Sequence, residues 1–195
     1  MKAGRLARIE ALSLRPASDL GREAVDELYR QTLGLLNFGE VPKDVFGCQI
    51  AFNVVPSMGV PQSRAEGFDE RVREETRLIL GLEAERVCLS SAFVPVFHGH
   101  ALLLTLTFEE PIDYEVLREA IAKKKGLRLV QDQEEFSPVE MVGEENVAVL
   151  DLGPDAVHRR IARLWCFCDN LKGGAALNAV RIAERVTDLR RESLS

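Results

Sequence analysis

A chain of 195 residues that is 46% hydrophobic and 29% charged is long enough to bury a core, and its composition is that of an ordinary globular domain. Its 25 basic and 31 acidic residues give a formal net charge of −6, which disfavours a nucleic-acid partner because such binding depends on clustered basic side chains. No apolar run reaches membrane-spanning length, which predicts no membrane partner. Four cysteines without a disulfide spacing pattern, and no N-terminal signal peptide, predict reduced thiols and a cytoplasmic location.

The first half of the chain contains three readable elements and one long loop. Residues 7–15 alternate as a strand does, and apolar positions recur at helical spacing over 20–36. Residues 54–67 hold two prolines and two glycines with little periodicity, which predicts a long loop of functional or interfacial use. A second helix is predicted over 69–80, ending at Gly81.

The second half alternates strands and helices irregularly. The predicted elements are strands over 86–92 and 94–108, a helix from its cap at Asp113 to 125, strands over 126–131, 146–152 and 161–168, and a helix over 175–190. This order favours one α+β domain over 1–195, with a mixed, largely antiparallel sheet and helices on one face. No G-x-G-x-x-G follows a predicted strand, so the chain lacks the dinucleotide-binding fingerprint.

Two patterns predict that the domain is covered by a partner. Segments 87–96 and 102–108 contain no charged residue, and strands of this kind are usually covered on both faces. Because the predicted helices cover one face only, the other is expected to meet a second copy in a homodimer. The terminal helix is apolar on nearly every side between 175 and 183, where only Asn178 and Arg181 are polar, so a partner subunit or a further domain should cover it.

Three segments resemble the aspartate-semialdehyde dehydrogenase family. Residues 164–184 (LWCFCDNLKGGAALNAVRIAE) are similar to its C-terminal signature, residues 21–53 to the opening of its second domain, and residues 93–100 (FVPVFHGH) to its R-V-P-V-x-x-G-H motif. Within the family, the chain most resembles the divergent Usg-type members. The fold that this implies is the one shared by the second domains of semialdehyde and glyceraldehyde-phosphate dehydrogenases.

The resemblance implies that the family's functions are divided between two domains and that this chain corresponds to the second. In the family the N-terminal domain binds NADP and carries the nucleophilic cysteine, whereas the second domain supplies substrate-binding groups, a catalytic histidine and the dimer interface. We therefore expect a dimerisation domain that binds no cofactor alone and lacks dehydrogenase activity as it stands. It would meet a nucleotide-binding domain in trans or in a longer form of the chain. The alternative is a fragment of an NADP-dependent semialdehyde or acyl-phosphate oxidoreductase with altered substrate choice, and a third possibility is a small-molecule sensor.

The resemblance also assigns individual residues. His100 falls on the catalytic histidine, a general acid or base, and its alternative role is a strand histidine satisfied by hydrogen bonds. Where the family holds the substrate carboxylate with an arginine, this sequence has Phe93, which offers no guanidinium fork. Arg71 falls on an anion-holding lysine, or is simply an exposed helix residue. The family's neighbouring acid falls on Phe68, or on Asp69 if the alignment shifts by one residue.

The remaining candidates lie in the turn before the last helix and on two strands. Asn170 and Gly174 correspond to positions near the cofactor, and a tight helix entry is the alternative explanation. His98 and His100 would share one face of a regular strand, but no clear third ligand follows, so no metal site is predicted. Cys48 is not expected to act as a nucleophile.

On the last predicted strand Cys166 and Cys168 share one face, where free cysteines are expected to pack as small hydrophobic side chains.

Overall fold

The computed structural model of the chain describes residues 4–60, 67–130, 135–154 and 158–192. Its helices and strands, in chain order, are β1 (Leu6–Arg15), α1 (Arg22–Leu36), β2 (Val55–Pro56), α2 (Phe68–Leu80), β3 (Val87–Phe93), β4 (His100–Phe108), α3 (Tyr114–Ala122), β5 (Leu127–Leu129), β6 (Val147–Pro154), β7 (Ile161–Cys168) and α4 (Ala175–Glu192). A short 3₁₀ helix, Ala17–Leu20, links β1 to α1.

The strands form one sheet in the order β2-β3-β1-β4-β7-β6-β5. The pairs β1–β3 and β5–β6 are parallel, and the other four neighbouring pairs are antiparallel. The predicted α+β class with a mixed, largely antiparallel sheet is therefore confirmed.

Alternation along the strands separates the two faces of this sheet. We call the side that carries Ile9, Ser13 and Arg15 the helix face; all three residues are buried. Leu117 and Ile121 of α3 pack there in one cluster with side chains of β4, β6 and β7, and Leu28 of α1 packs in another cluster that includes Phe93 of β3. The helix face thus carries two of the three clusters of buried apolar side chains in the described part of the chain; the third, which includes Met141 and Phe167, lies on the opposite side.

The opposite side of the sheet, which we call the open face, has no α-helix over its central strands in the described part of the chain. Leu12 of β1 lies opposite Leu103 of β4, which lies opposite Trp165 of β7, which lies opposite Leu150 of β6. These side chains form an apolar row across four strands, and Leu12 is 38% exposed. The open face is therefore apolar along this row, and the rest of the chain covers the row only in part.

Element boundaries follow local chemistry. The helix α2 ends at Gly81, which adopts a left-handed backbone conformation (φ 63°) that residues with a side chain rarely adopt. The helix α3 is capped by Asp113, whose carboxylate accepts hydrogen bonds from the N–H groups of Glu115 and Val116. The strand predicted over 94–108 begins only at His100. Residues 94–99 are instead a loop, because the carbonyls of Val96 and Phe97 accept from the start of the 3₁₀ helix rather than from a neighbouring strand.

Two further expectations are modified. The helix expected to reach 125 ends at Ala122, and the expected loop over 54–67 contains the short β2 and a 3₁₀ turn, while 61–66 lie outside the described residues. None of the described helices is both long and apolar enough to cross a membrane.

The terminal helix α4 is almost entirely exposed along its described side chains. Val180, Ile182, Val186 and Leu189 are among them, and at the last three positions apolar side chains recur at helical spacing. The apolar character expected over 175–183 is thus present, and this chain alone does not cover it.

Candidate active site around His100

The strand register brings four side chains into one row on the helix face. Phe93 of β3 is the partner of Arg15 on β1, and His100 of β4 is the partner of Cys168 on β7. The pair Leu14–Ala101 between β1 and β4 places Arg15 next to His100. The row lies where β1, β3 and β7 end and β4 begins, so loops and turns surround it.

His100 is held by two polar neighbours. Its Nε2 lies 2.6 Å from the Ser13 hydroxyl oxygen, and its Nδ1 lies 3.8 Å from a carboxylate oxygen of Asp19. A proton on Nδ1 faces the carboxylate, so this tautomer is favoured and the Ser13 hydroxyl then donates to Nε2. Burial lowers the pKa of His100, with a smaller lowering from Arg15, while Asp19 acts in the opposite direction. The ring is therefore neutral near pH 7 and can act as a base.

Arg15, which the sequence reasoning missed, is the charged centre of the row. Its side chain is 3% exposed, its Nε donates to Asp19 at 3.0 Å, and its guanidinium carbon lies 3.8 Å from the ring centroid of Phe68 and 4.4 Å from that of Phe93. A guanidinium group is thus present on β1, the strand next to that of Phe93. It packs against Phe93 and Phe68, the phenylalanines that occupy the positions of the family's arginine and acid. One sequence feature could have indicated it: Arg15 lies an even number of residues after Ile9 and Ser13, so on a strand it points to the same buried face as they do.

Asn170 ties the loops around the row together. Its side-chain Nδ2 donates to Ser18 at 2.9 Å and to Asp19 at 3.2 Å, while its Oδ1 accepts from the N–H of Gly99 at 3.0 Å. The amide therefore orients Asp19, and through it both His100 and Arg15.

Backbone contacts account for Gly174 and for the turn that precedes α4. A Cβ added to Gly174 would lie 2.7 Å from the carbonyl oxygen of Asn170, a distance that real Cβ atoms do not adopt. The Asp169 carboxylate accepts from the N–H groups of Gly143, Leu171 and Lys172. Burial raises the pKa of Asp169, but these donors and His98 outweigh it, so the pKa lies below its usual value. The tight helix entry considered from the sequence therefore has a geometric basis.

The anion candidate on α2 is not part of the row. Arg71 is exposed, whereas Asp69 in the first turn accepts a hydrogen bond from Ser91, which also contacts the hydroxyl of Ser57 at 2.7 Å. Phe68 and Asp69, the two positions considered for the family's acid, therefore both face the helix side of the sheet.

The expected geometry of a histidine pair is not found. His98 lies exposed in the loop before β4, so it does not share a strand face with His100 as a regular strand would have required. Within the described ranges, no group of three histidine, cysteine, aspartate or glutamate residues could hold a metal ion.

The cysteines are free thiols, and three of them have shifted pKa values. Burial, with Cys168 nearby, raises the pKa of Cys166 to about 11, and burial with Asp169 and Asp19 raises that of Cys168. Burial and Glu27 raise the pKa of Cys48, against a smaller lowering by Lys43. A nucleophilic cysteine needs a lowered pKa, so none of these three thiols has the environment of one.

On the open face, a cavity of about 690 Å³ adjoins the apolar row. Its lining includes Leu14, Phe97, Val139, Val142 and Trp165, and hydrophobic side chains dominate it. An exposed apolar concavity of this kind is typical of surfaces that bind a protein partner or a ligand.

Comparison with known proteins shows the family of the chain. Residues 1–172 match the family model described as semialdehyde dehydrogenase, dimerisation domain. The chain belongs to this family. The domain is 32% identical over 187 residues to the aspartate-semialdehyde dehydrogenase of Rickettsia bellii, a match that covers 93% of the chain and 54% of that protein. It is 34% identical over 172 residues to the USG-1 protein homolog of Azotobacter vinelandii, covering 87% of the chain and 51% of that protein.

A solved structure shares the fold of this semialdehyde dehydrogenase dimerisation domain. A probable aspartate-semialdehyde dehydrogenase from Pseudomonas aeruginosa superposes with a TM-score of 0.83 at 29% identity, covering 93% of the chain and 55% of that structure. The domain thus spans about half the length of the relatives that it matches.

Proposed function

We propose that the chain is the dimerisation domain of an aspartate-semialdehyde dehydrogenase-like protein of the Usg type, and that two copies associate through the open face. The observation that carries this proposal is the incompletely covered apolar row, Leu12, Leu103, Trp165 and Leu150, in a chain that matches a dimerisation-domain family over residues 1–172. A twofold copy would cover the row and the cavity beside it, and twofold dimers are the commonest closed assembly.

The proposal includes that the chain alone neither binds NADP nor performs the dehydrogenase reaction. The residues at hand do not fit a dinucleotide: no glycine-rich fingerprint is present in the sequence, and the Asn170 amide is used within the chain. The raised pKa values of Cys48, Cys166 and Cys168 provide no thiolate to accept an acyl group. A nucleotide-binding domain in trans or in a longer form, and a cytoplasmic location, belong to the same proposal.

Two measurements on the purified chain test these statements. Light scattering at low micromolar concentration should give twice the 21.7 kDa chain mass, and calorimetric titration with NADPH should show no saturable heat. A monomer that persists on concentration would refute the association, and micromolar NADPH binding would refute the missing cofactor site.

A second candidate function is a fragment of an NADP-dependent oxidoreductase with altered substrate choice. The observation that favours it is the organised setting of His100, since Ser13 and Asp19 hold a neutral ring that is able to take a proton. The test is a fusion of the chain to the N-terminal half of the Rickettsia bellii relative, assayed for NADPH formation with several semialdehydes. Turnover that His100→Gln abolishes would support an enzyme.

A further inference from the structure

We propose that two copies of the chain pair with the edge of each sheet inserted into the open-face cavity of the other. The inserted part, which we call the edge ridge, consists of three exposed apolar side chains at the outer strand β2: Val54, Pro56 and Met58. This inference rests on the proposed function, which places a second copy on the open face. It adds which part of that copy fills the cavity.

The edge ridge lies on the same side of the sheet as the cavity. Val55 packs with Phe93 in a cluster of the helix face, and the buried Ser57 contacts Ser91 on that side as well. The three ridge residues alternate with these two buried residues, so they point to the open face. Met58 is 95% exposed, so the described part of the chain gives its side chain almost no cover.

Ridge and cavity stand at the same level of the sheet. One row of paired residues connects them: Pro56 of β2, Ala92 of β3, Leu14 of β1, Ala101 of β4 and Phe167 of β7. The first of these belongs to the ridge, and the last three line the cavity. With neighbouring strands about 4.8 Å apart, ridge and cavity are roughly 15 to 20 Å apart, and β1 lies between them.

A twofold axis that runs along β1 places each feature against its complement. Rotation about this axis carries a position two strands to one side of β1 onto the position two strands to the other side, at the same level. The ridge of each copy therefore lies over β7 of the other copy, where Trp165 and Phe167 line the cavity. The two contacts form together, as the symmetry of a twofold interface requires.

The polarity of the open face favours this axis over one that crosses the strands. Beyond the apolar row, the same face carries Glu10, Thr105 and Arg163, which lie opposite one another on β1, β4 and β7. An axis across the strands would lay this polar end over the cavity and bury its charges against apolar walls, which is costly. An axis along β1 instead sets the apolar end of one copy against the apolar end of the other.

Cross-linking of two different chains tests the contact. One chain carries Met58→Cys and the other Val139→Cys, both with Cys88→Ser to remove the exposed native thiol. Val139 lies at the exposed rim of the cavity, so oxidation with copper phenanthroline should join one chain of each kind. In the matched control, Ile79→Cys replaces Met58→Cys at another highly exposed apolar position, on α2, and should give little mixed product.

The outcomes separate this inference from the proposed function. A chain that is dimeric by light scattering, but whose mixed pair cross-links no more than the control pair, would overturn the inserted ridge and leave the proposed function intact. A chain that stays monomeric would refute both.

A charged variant gives a second measurement without introduced cysteines. Met58→Glu should keep the circular dichroism spectrum of the wild type, because the side chain is exposed in one chain. In the dimer it would place two carboxylates in apolar cavities, so the dissociation constant from sedimentation equilibrium should rise at least about tenfold. Ile79→Glu makes a similar change outside the contact and should leave that constant unchanged. Equal dissociation constants for the two variants would refute insertion of the ridge.

Discussion

The imidazole of His100 is titratable and largely shielded from solvent, and this makes the stability of the domain sensitive to pH. Burial is the main reason that its pKa lies below 6.5 in the folded chain, so the unfolded chain binds a proton first as the pH falls. The contribution of the neutral ring to stability is therefore complete above about pH 6.5 and is lost as the pH drops through the folded pKa.

The expected result is a fall in the free energy of unfolding between pH 7.5 and 5.5 that His100→Gln reduces. One proton contributes at most about 1.4 kcal/mol per pH unit. Urea unfolding at both pH values, at a fixed protein concentration, measures the difference between wild type and variant. The exposed His98→Gln serves as the control and should retain most of the wild-type pH dependence. Identical behaviour of His100→Gln and wild type would contradict a lowered pKa.

At this scale the sequence predicted His100 but not its partners. Its place in a motif identified it, and its alternative role as a hydrogen-bonded strand histidine also describes its contacts with Ser13 and Asp19. Arg15 was not predicted because a single charged residue at the end of a strand usually lies in solvent. Its burial depends on Phe93, which the register of β1 and β3 places beside it, and on Phe68 at the start of α2, and both are distant from Arg15 in the sequence.

Between elements, buried polar side chains of α1 hold the segment that follows the helix. The Gln31 side chain accepts from the N–H groups of Ile50 and Ala51 and donates to the carbonyls of Pro42 and Cys48. This fully buried amide thus supplies hydrogen-bond partners to backbone groups of a loop that has no regular secondary structure to provide them.

Gln31→Leu should therefore destabilise the domain by about 2 to 5 kcal/mol, since two buried N–H groups and two half-buried carbonyls lose their partner. The control is Gln49→Leu, which removes one hydrogen bond from a half-buried amide and should cost under about 1 kcal/mol. Chemical denaturation of both variants gives the comparison. Equal costs would show that water or a shifted backbone replaces the Gln31 bonds.

Elements with strong local signals were predicted well, and those that depend on long-range pairing were not. The strand β7 has the predicted bounds, 161–168, and α2 ends before Gly81 as predicted, because strand alternation and a left-handed glycine are local properties. The start of β4 was misplaced because the contacts that hold 94–99 as a loop come from the 3₁₀ helix Ala17–Leu20, which is far from this loop in the sequence. The sequence alone does not reveal such contacts.

At the scale of the whole molecule, two apolar surfaces are incompletely covered in the described structure, and they are of different kinds. The open face is a row of side chains on a rigid sheet, beside a cavity of about 690 Å³. The exposed stripe on α4 is formed by Ile182, Val186 and Leu189 on a single helix. A sheet face is suited to a twofold copy of itself, whereas the stripe on α4 would be covered by a partner subunit or by a further domain.

Placing a charged side chain in the middle of the open face tests whether the dimer interface lies there. Leu12 lies in the apolar row and is 38% exposed, so Leu12→Glu should disturb one chain little. In a twofold interface the same change introduces two buried carboxylates, and an obligate interface of about 2,000 Å² or more would not tolerate them. We expect the variant to sediment as a monomer at a concentration where the wild type is a dimer, and to keep the circular dichroism spectrum of the folded wild type. The control is Leu36→Glu on α1, at a position 63% exposed, which should remain dimeric. A dimeric Leu12→Glu together with a monomeric variant at Ile182 would place the interface on α4 instead.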